Sequence, residues 1–283
     1  MDDLLELAEL IELPLYLISM AALGAVVGFL GALLGLGGGF IMVPALILLL
    51  GFDAHHAVGT SMVAVIFTGA SAALAYHQQG RLDWKLALLA EAATTPGAFA
   101  GAVLTSLVSS ASLKLLFSIL LIILAFSMLL RGEKRDDAER LTRRSGGGAF
   151  SWRRRIGDSR GRVFEYSIDV LKLLPACFLA GIVSGFFGVG GGTVKVPVLY
   201  YLGAPMHIAV ATSTLMIALT AFSGSLGHLM LGHVKLLELL GLIPGIIAGT
   251  RLGAATARRL KSRTLRRIFS SALILIAVLL LIK

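Results

Sequence analysis

Residues 35–44 read GLGGGFIMVP and residues 188–197 read GVGGGTVKVP. Each stretch sets three consecutive glycines between apolar runs, with a proline five residues after the last glycine. Glycine loses the most backbone freedom on ordering, so three in a row break a helix instead of smoothing one of its faces. The segment after each break is apolar but short, residues 39–50 and 192–202. A helix over 39–50 would rise roughly 18 Å at about 1.5 Å per residue, near half of a hydrocarbon layer about 30 Å thick. The spacing predicts two half-helices, each entered through a hairpin-like turn.

The chain around these breaks reads as an all-α polytopic membrane protein. Of its 283 residues 57% are hydrophobic and only 14% charged, and the mean hydropathy is +0.90, outside the range of soluble domains. Apolar stretches near 15–36, 57–77, 86–108, 112–130, 173–189, 207–230, 236–256 and 264–282 are each long enough to cross a bilayer. The start, MDDLLELAELIEL, is acidic where a secretory signal would be basic, so no cleaved signal is expected. Cys177 is the single cysteine, and that excludes an internal disulfide framework or a multi-cysteine metal cluster. In its apolar run it reads as a small hydrophobe.

Charge then gives orientation. The net charge is +9, but the basic residues concentrate at 131–162, with 11 Lys/Arg against 5 Asp/Glu, and at 258–267, with 6 against none. Both runs flank apolar helices, where Lys and Arg mark the cytoplasmic side, and no aromatic interleaving accompanies them to suggest nucleic acid. The sequence also repeats. Subtracting 153 lays Gly188, Gly190, Gly191, Gly192 and Pro197 on Gly35, Gly37, Gly38, Gly39 and Pro44. Subtracting 152 lays His207, Ala209, Val210, Thr212 and Ser213 on His55, Ala57, Val58, Thr60 and Ser61, and PGIIAG at 244–249 matches PGAFAG at 96–101. The turn near Ser109 is uncharged while its partner loop 258–267 is strongly basic, so equivalent loops fall on opposite faces. The expected organisation is a first transmembrane repeat over 14–131, a basic cytoplasmic linker over 132–168, read as solvated and in part mobile, and a second, inverted repeat over 169–283. Five helical segments per repeat place both termini outside.

Inverted repeats with discontinuous helices are an arrangement of secondary transporters, whose broken helices meet near the membrane midplane. The first backbone N–H groups of a helix lack intrahelical partners, and glycine lets a solute reach them. Gly37, Gly38, Gly39 and Gly190, Gly191, Gly192 are therefore read as facing cradles for a small anion. Pro44 and Pro197 are placed early in each half-helix, where a missing N–H costs least. Lys195, where the first copy has Met42, is expected to supply the full positive charge; the competing reading is a lysine snorkelling to the surface. Thr60, Ser61, Thr212 and Ser213 are candidate hydroxyl donors, unless they bond back to their own helices. Glu91 is a candidate carrier of a coupling proton. His55, His56, His207, His228 and His233 have no metal-site spacing and read as capping or solvated side chains. Glycines spaced by four at 24 and 28, at 31 and 35, and at 241, 245, 249 and 253 read as helix-packing faces, compatible with a homodimer but not requiring one.

GxGGGxxxxP occurring twice, each copy followed by an H-x-A-V-x-T-S stretch and later by P-G-x-x-x-G, resembles the TauE/SafE family of sulfite and organosulfonate exporters. The resemblance spans both halves and implies export of a small sulfur-containing oxyanion, such as sulfite or sulfoacetate, across a bacterial inner membrane by alternating access. Rival readings are a small-anion channel and a non-transporting receptor or assembly subunit. No enzyme is expected, since no nucleophile and base stand at usable spacing, and neither a cofactor nor a metal is called for.

Overall fold

The computed structural model describes residues 2–34, 36–130, 150–159, 161–256 and 262–282. Among these residues the helices are α1 (Asp2–Leu34), α2 (Gly39–Leu50), α3 (Ala54–His77), α4 (Trp84–Leu104, extended by a 3-10 turn to Leu107), α5 (Ser110–Leu130), α6 (Val170–Phe187), α7 (Gly192–Tyr201), α8 (Met206–Met230), α9 (Leu236–Thr256) and α10 (Ser262–Ile282). Each apolar segment expected from the sequence is a helix, and the two short ones are α2 and α7. The largest difference is at the start, where the acidic stretch continues α1 back to Asp2. Gly35, the basic run 131–149 and the basic residues 258, 259 and 261 lie outside the described residues.

Small residues decide which helices meet. Along α9, a Cβ added at Gly241, Gly245, Gly249 or Gly253 would collide with the carbonyl oxygen of Leu17, Ala21, Ala25 or Phe29 in turn. Numbers rise together on the two helices, so α1 and α9 run parallel in backbone contact. The same holds for α4 and α6, where Gly181 and Gly185 press on the Thr94 and Ala98 carbonyls and Gly97 and Gly101 on those of Phe178 and Ile182. Close approach of this kind replaces the hydrophobic drive that helices lack inside lipid. The glycine faces are thus occupied within the chain. By the repeat numbering α1 corresponds to α6 and α4 to α9, so the opening helix of each half lies against the P-G-x-x-x-G helix of the other. The equivalent helices α3 and α8 pack together, Gly69 against the Ala218 backbone, and α5 lies along α10.

Buried Phe40, Leu46, Val58, Leu113, Phe117, Val189 and Leu242 anchor one core cluster, and Leu86, Leu173, Leu199, Ile208 and Met216 a second. Side chains such as Ile119, Ile122 and Phe126 of α5 and Leu275 and Leu279 of α10 are exposed apolar groups on the outside of the bundle. Six of the described helices, α1, α3, α4, α6, α8 and α9, are long and apolar enough to cross a membrane, and an apolar outer surface of this kind suits a lipid environment.

The end of the linker is not solvated coil. Strands β1 (Ser151–Gly157) and β2 (Val163–Asp169) pair antiparallel, with Arg154 opposite Tyr166. Arg154 reaches Asp83, just before α4, through two hydrogen bonds, Nε to Oδ2 at 2.8 Å and Nη2 to Oδ1 at 2.6 Å, while its guanidinium stacks 4.6 Å from the Trp152 ring. Tyr166 Oη donates to Asp83 Oδ2 at 2.6 Å, and Ser159 N–H donates to the Gln79 carbonyl at 3.0 Å. The hairpin is therefore clamped onto the loop between α3 and α4. Burial pushes the Asp83 carboxyl up, but hydrogen bonds from Arg154, Tyr166 and the Leu86 N–H outweigh it and hold the group below the usual carboxylate range.

Candidate functional site

Both glycine breaks are turns made possible by left-handed backbone. Gly37 and Gly38 have φ of 86° and 81°, and Gly190 and Gly191 have 69° and 76°, values that favour residues without a Cβ. Gly38 and Gly191 cap α2 and α7 with no side-chain cap. The N–H groups of Gly37, Gly38 and Gly39, and those of Gly190, Gly191 and Gly192, find no acceptor among the described residues. Pro44 and Pro197 are each the sixth residue of their helix, past the first turn. Contrary to expectation, they therefore remove a donor that would otherwise serve the carbonyls of residues 40 and 193.

The two turns meet. A Cβ at Gly39 would collide with the Gly188 carbonyl, and one at Gly192 would lie 3.1 Å from the Leu36 carbonyl. Val65 and Ile217, twelfth residues of α3 and α8 and equivalent in the repeat, pack over Gly37 and Gly190 from halfway along the longest central helices. The helix starts of α2 and α7, with their partial positive charge, are thus brought together at mid-depth of the bundle.

Lys195 lies one turn into α7, its stem folded back against Gly191. It is fully buried, so it does not snorkel, and it is the only lysine or arginine buried among the described residues. Its Nζ donates to Glu91 Oε1 at 2.9 Å, to the Met216 carbonyl at 3.1 Å and to Thr220 Oγ1. Glu91, also buried, accepts in addition from Thr220 Oγ1 at 2.8 Å and Thr95 Oγ1 at 3.2 Å. Lys195 and Glu91 form one neutral unit joining α4, α7 and α8. That pairing crosses 104 residues of sequence, and no spacing announces it.

The four hydroxyl residues divide. Thr60 Oγ1 accepts the Lys235 N–H at 3.0 Å, and Thr212 Oγ1 accepts the Asp83 N–H at 3.1 Å. Asp83 and Lys235 are themselves 152 apart, so the two bonds are equivalents that fasten the starts of α4 and α9. Ser61 Oγ donates to the Gly188 carbonyl at 3.0 Å and so touches the second turn, whereas Ser213 bonds back to Val210 at 2.8 Å. Two buried hydroxyls that sequence reasoning passed over, Ser184 and Thr193, stand beside the second turn. Their signal was present, since both fall inside or just before the repeated motif.

Four histidines also converge. His233 lies 5.1 Å from His55 and 5.6 Å from His228 between ring centroids, and His228 Nε2 is 2.9 Å from the Gly185 carbonyl. Burial, then the neighbouring His55 and His56, lower the His233 imidazole below its usual range. No group of three metal-ligating side chains fit to hold an ion occurs among the described residues.

The fold and this site define a multi-pass helical membrane protein built around two broken helices. The chain matches the family model "Sulfite exporter TauE/SafE" over residues 20–280, and it belongs to that family. It is 34% identical to the probable membrane transporter protein YunE of Bacillus subtilis, over 91% of this chain and 94% of that one. To the probable membrane transporter protein MJ0441 of Methanocaldococcus jannaschii it is 28% identical, over 95% of both chains. To YdhB of Bacillus subtilis, also a probable membrane transporter protein, it is 26% identical over 85% of this chain and 88% of the relative. No solved structure matches it.

Proposed function

We propose that the protein exports a small sulfur-containing oxyanion, sulfite or an organosulfonate such as sulfoacetate, by alternating access across the bacterial inner membrane. The observation that carries this reading is the meeting of two uncapped helix starts at mid-depth, beside the one cation buried among the described residues. Backbone N–H groups and Lys195 together favour an anion and offer nothing to a cation. The sulfur chemistry comes from the family.

The halves are inverted in this reading. Equivalent fastenings support it, because Lys235 meets α3 at Thr60, its seventh residue, while Asp83 follows just beyond its end at His77, about 26 Å farther along the helix. The basic linker faces the cytoplasm and both termini face outward. Since the turns touch through Gly39 and Gly192, an anion seated between them must part the two half-helices, and a movement of that kind exposes the site to one side at a time.

Lys195 and Glu91 give a coupling device. With no anion bound, the pair is neutral. An arriving anion competes with Glu91 for the ammonium, and a proton taken up by Glu91 restores neutrality. Purified protein in liposomes tests the proposal: flux of sulfite or sulfoacetate that saturates, is stimulated by the same solute on the far side and is lost in Lys195→Ala is expected. Flux that neither saturates nor exchanges means a channel, and absence of flux for every sulfur oxyanion rejects the transporter reading. Glu91→Gln should leave a flux whose rate no longer varies with pH.

A further inference from the structure

We propose that Ser184 and Thr193 bind the transported anion, their hydroxyls completing with the Gly190, Gly191 and Gly192 N–H groups a site that exists at the second turn and not at the first. This rests on the anion-transport reading above and makes its site asymmetric.

Ser184 is fully buried and Thr193 is 8% exposed, yet neither hydroxyl has a hydrogen-bond partner among the described residues. Hydroxyls in apolar helices ordinarily bond back to a carbonyl of the preceding turn. Here Thr94, Thr214 and Ser225 do so, to Ala90, Ala211 and Phe222. Ser184, in the last turns of α6, has the same carbonyls within reach of its backbone position and leaves them. Its Oγ lies instead beside the second turn, 3.3 Å from where a Cβ of Gly191 would be. Thr193 comes directly after Gly192 in the first turn of α7, among the N–H groups that lack acceptors. Leaving buried hydroxyls unpaired is unfavourable, and substitution by alanine or valine would remove the cost, so two such residues flanking one turn signal a partner that comes and goes.

The first turn has the N–H groups but lacks the two hydroxyls and the ammonium. Subtracting 153 from Ser184, Thr193 and Lys195 gives Gly31, Phe40 and Met42. Gly31 allows the first turn to close on α1, since a Cβ there would lie 2.8 Å from Gly38 N and Cα. Ser184 instead fills the equivalent place with a donor. Three backbone N–H groups, two hydroxyls and an ammonium suit an anion with three oxygens, a sulfonate or sulfite, better than a two-oxygen carboxylate.

The test compares wild type, Ser184→Ala, Thr193→Val and the control Thr214→Val in detergent, by calorimetry with sulfoacetate, sulfite and acetate and by thermal unfolding without ligand. Ser184→Ala and Thr193→Val should each weaken sulfoacetate or sulfite binding about tenfold or more, the loss of one hydrogen bond to a charged group. Without ligand they should unfold at or above the wild-type temperature, because an unpartnered hydroxyl has been removed. Thr214→Val should bind as wild type does. If wild type binds and both variants bind equally well, the hydroxyls are not part of the site although anion transport stands. Variants that unfold earlier without ligand and bind normally mean that the hydroxyls hold structural water, which also overturns the proposal. If wild type binds none of the sulfur anions, the transport reading and this one fall together.

Discussion

Replacing Lys195 by methionine, the residue at the equivalent position 42, would strand Glu91 in the interior. The ammonium and carboxylate stand 2.9 Å apart with side-chain exposures of 0% and 5%, so water cannot take over from either partner. Removing one member of a buried pair typically costs about 3–5 kcal/mol, chiefly because the other charge stays uncompensated. Glu91 keeps hydrogen bonds from Thr220 and Thr95, which places the expected loss at about 3 kcal/mol, the lower end of that range. For a chain of this length that corresponds to a fall in Tm on the order of 10 °C. In Lys195→Met with Glu91→Gln no charge remains, and the glutamine can still accept from both threonines. The double variant should therefore be more stable than the sum of the single losses implies, by about 2 kcal/mol, the coupling expected of directly contacting groups. Thermal unfolding of the four proteins in one detergent at neutral pH measures this cycle. Additive losses, or a Lys195→Met variant as stable as wild type, would refute the buried pair. Both variants without the lysine should be inactive in anion flux, so recovered stability without recovered transport separates the structural from the functional role of the charge.

Two further outcomes bear on the ends of the bundle. The Asp83 carboxyl is held below its ordinary value of about 3.9, so the stability it lends is fully present above about pH 4 and is lost as pH falls through the folded-state value. Asp83→Asn should flatten that acid limb in an unfolding series from neutral pH down to about 3, and an unchanged limb would mean that the Arg154 and Tyr166 clamp adds nothing. Thr60→Val and Thr212→Val should each lower stability by about 1–3 kcal/mol by stranding the Lys235 or Asp83 N–H, with the apparent affinity for the anion unaltered. A loss of affinity without a loss of stability would return these hydroxyls to the site.

Much of the molecule can be read directly from its residues. Runs of apolar side chains of membrane length need only local counting, and they locate every long helix within a few residues except at the start of α1. The half-helices are equally legible, because three glycines interrupt a helix through their own backbone entropy and need no distant neighbour to do so. The four-residue glycine spacing of α9 announces a packing face for the same reason, though it does not say that α1 fills it.

Other features depend on which distant segments meet. The linker reads as solvated because its charges are plain in sequence, while the Asp83 that receives Arg154 lies 71 residues earlier. The histidines gather only when the starts of α3 and α9 converge on the end of α8. Thr60 and Thr212 have the sequence context of donors near a site, but their oxygens hold backbone N–H groups. By itself, the sequence determined the helices, the two breaks, the repeat and the presence of a lysine in an apolar half-helix, since each arises from composition or spacing along the chain; that Lys195 is buried and does not snorkel came from the fold. Tertiary structure alone decided that Lys195 is neutralised by Glu91 and that Ser184 and Thr193, at the second turn, have no partner among the described residues. Pairing and its absence are properties of neighbours in space, and the packing of α4, α6, α7 and α8 sets them.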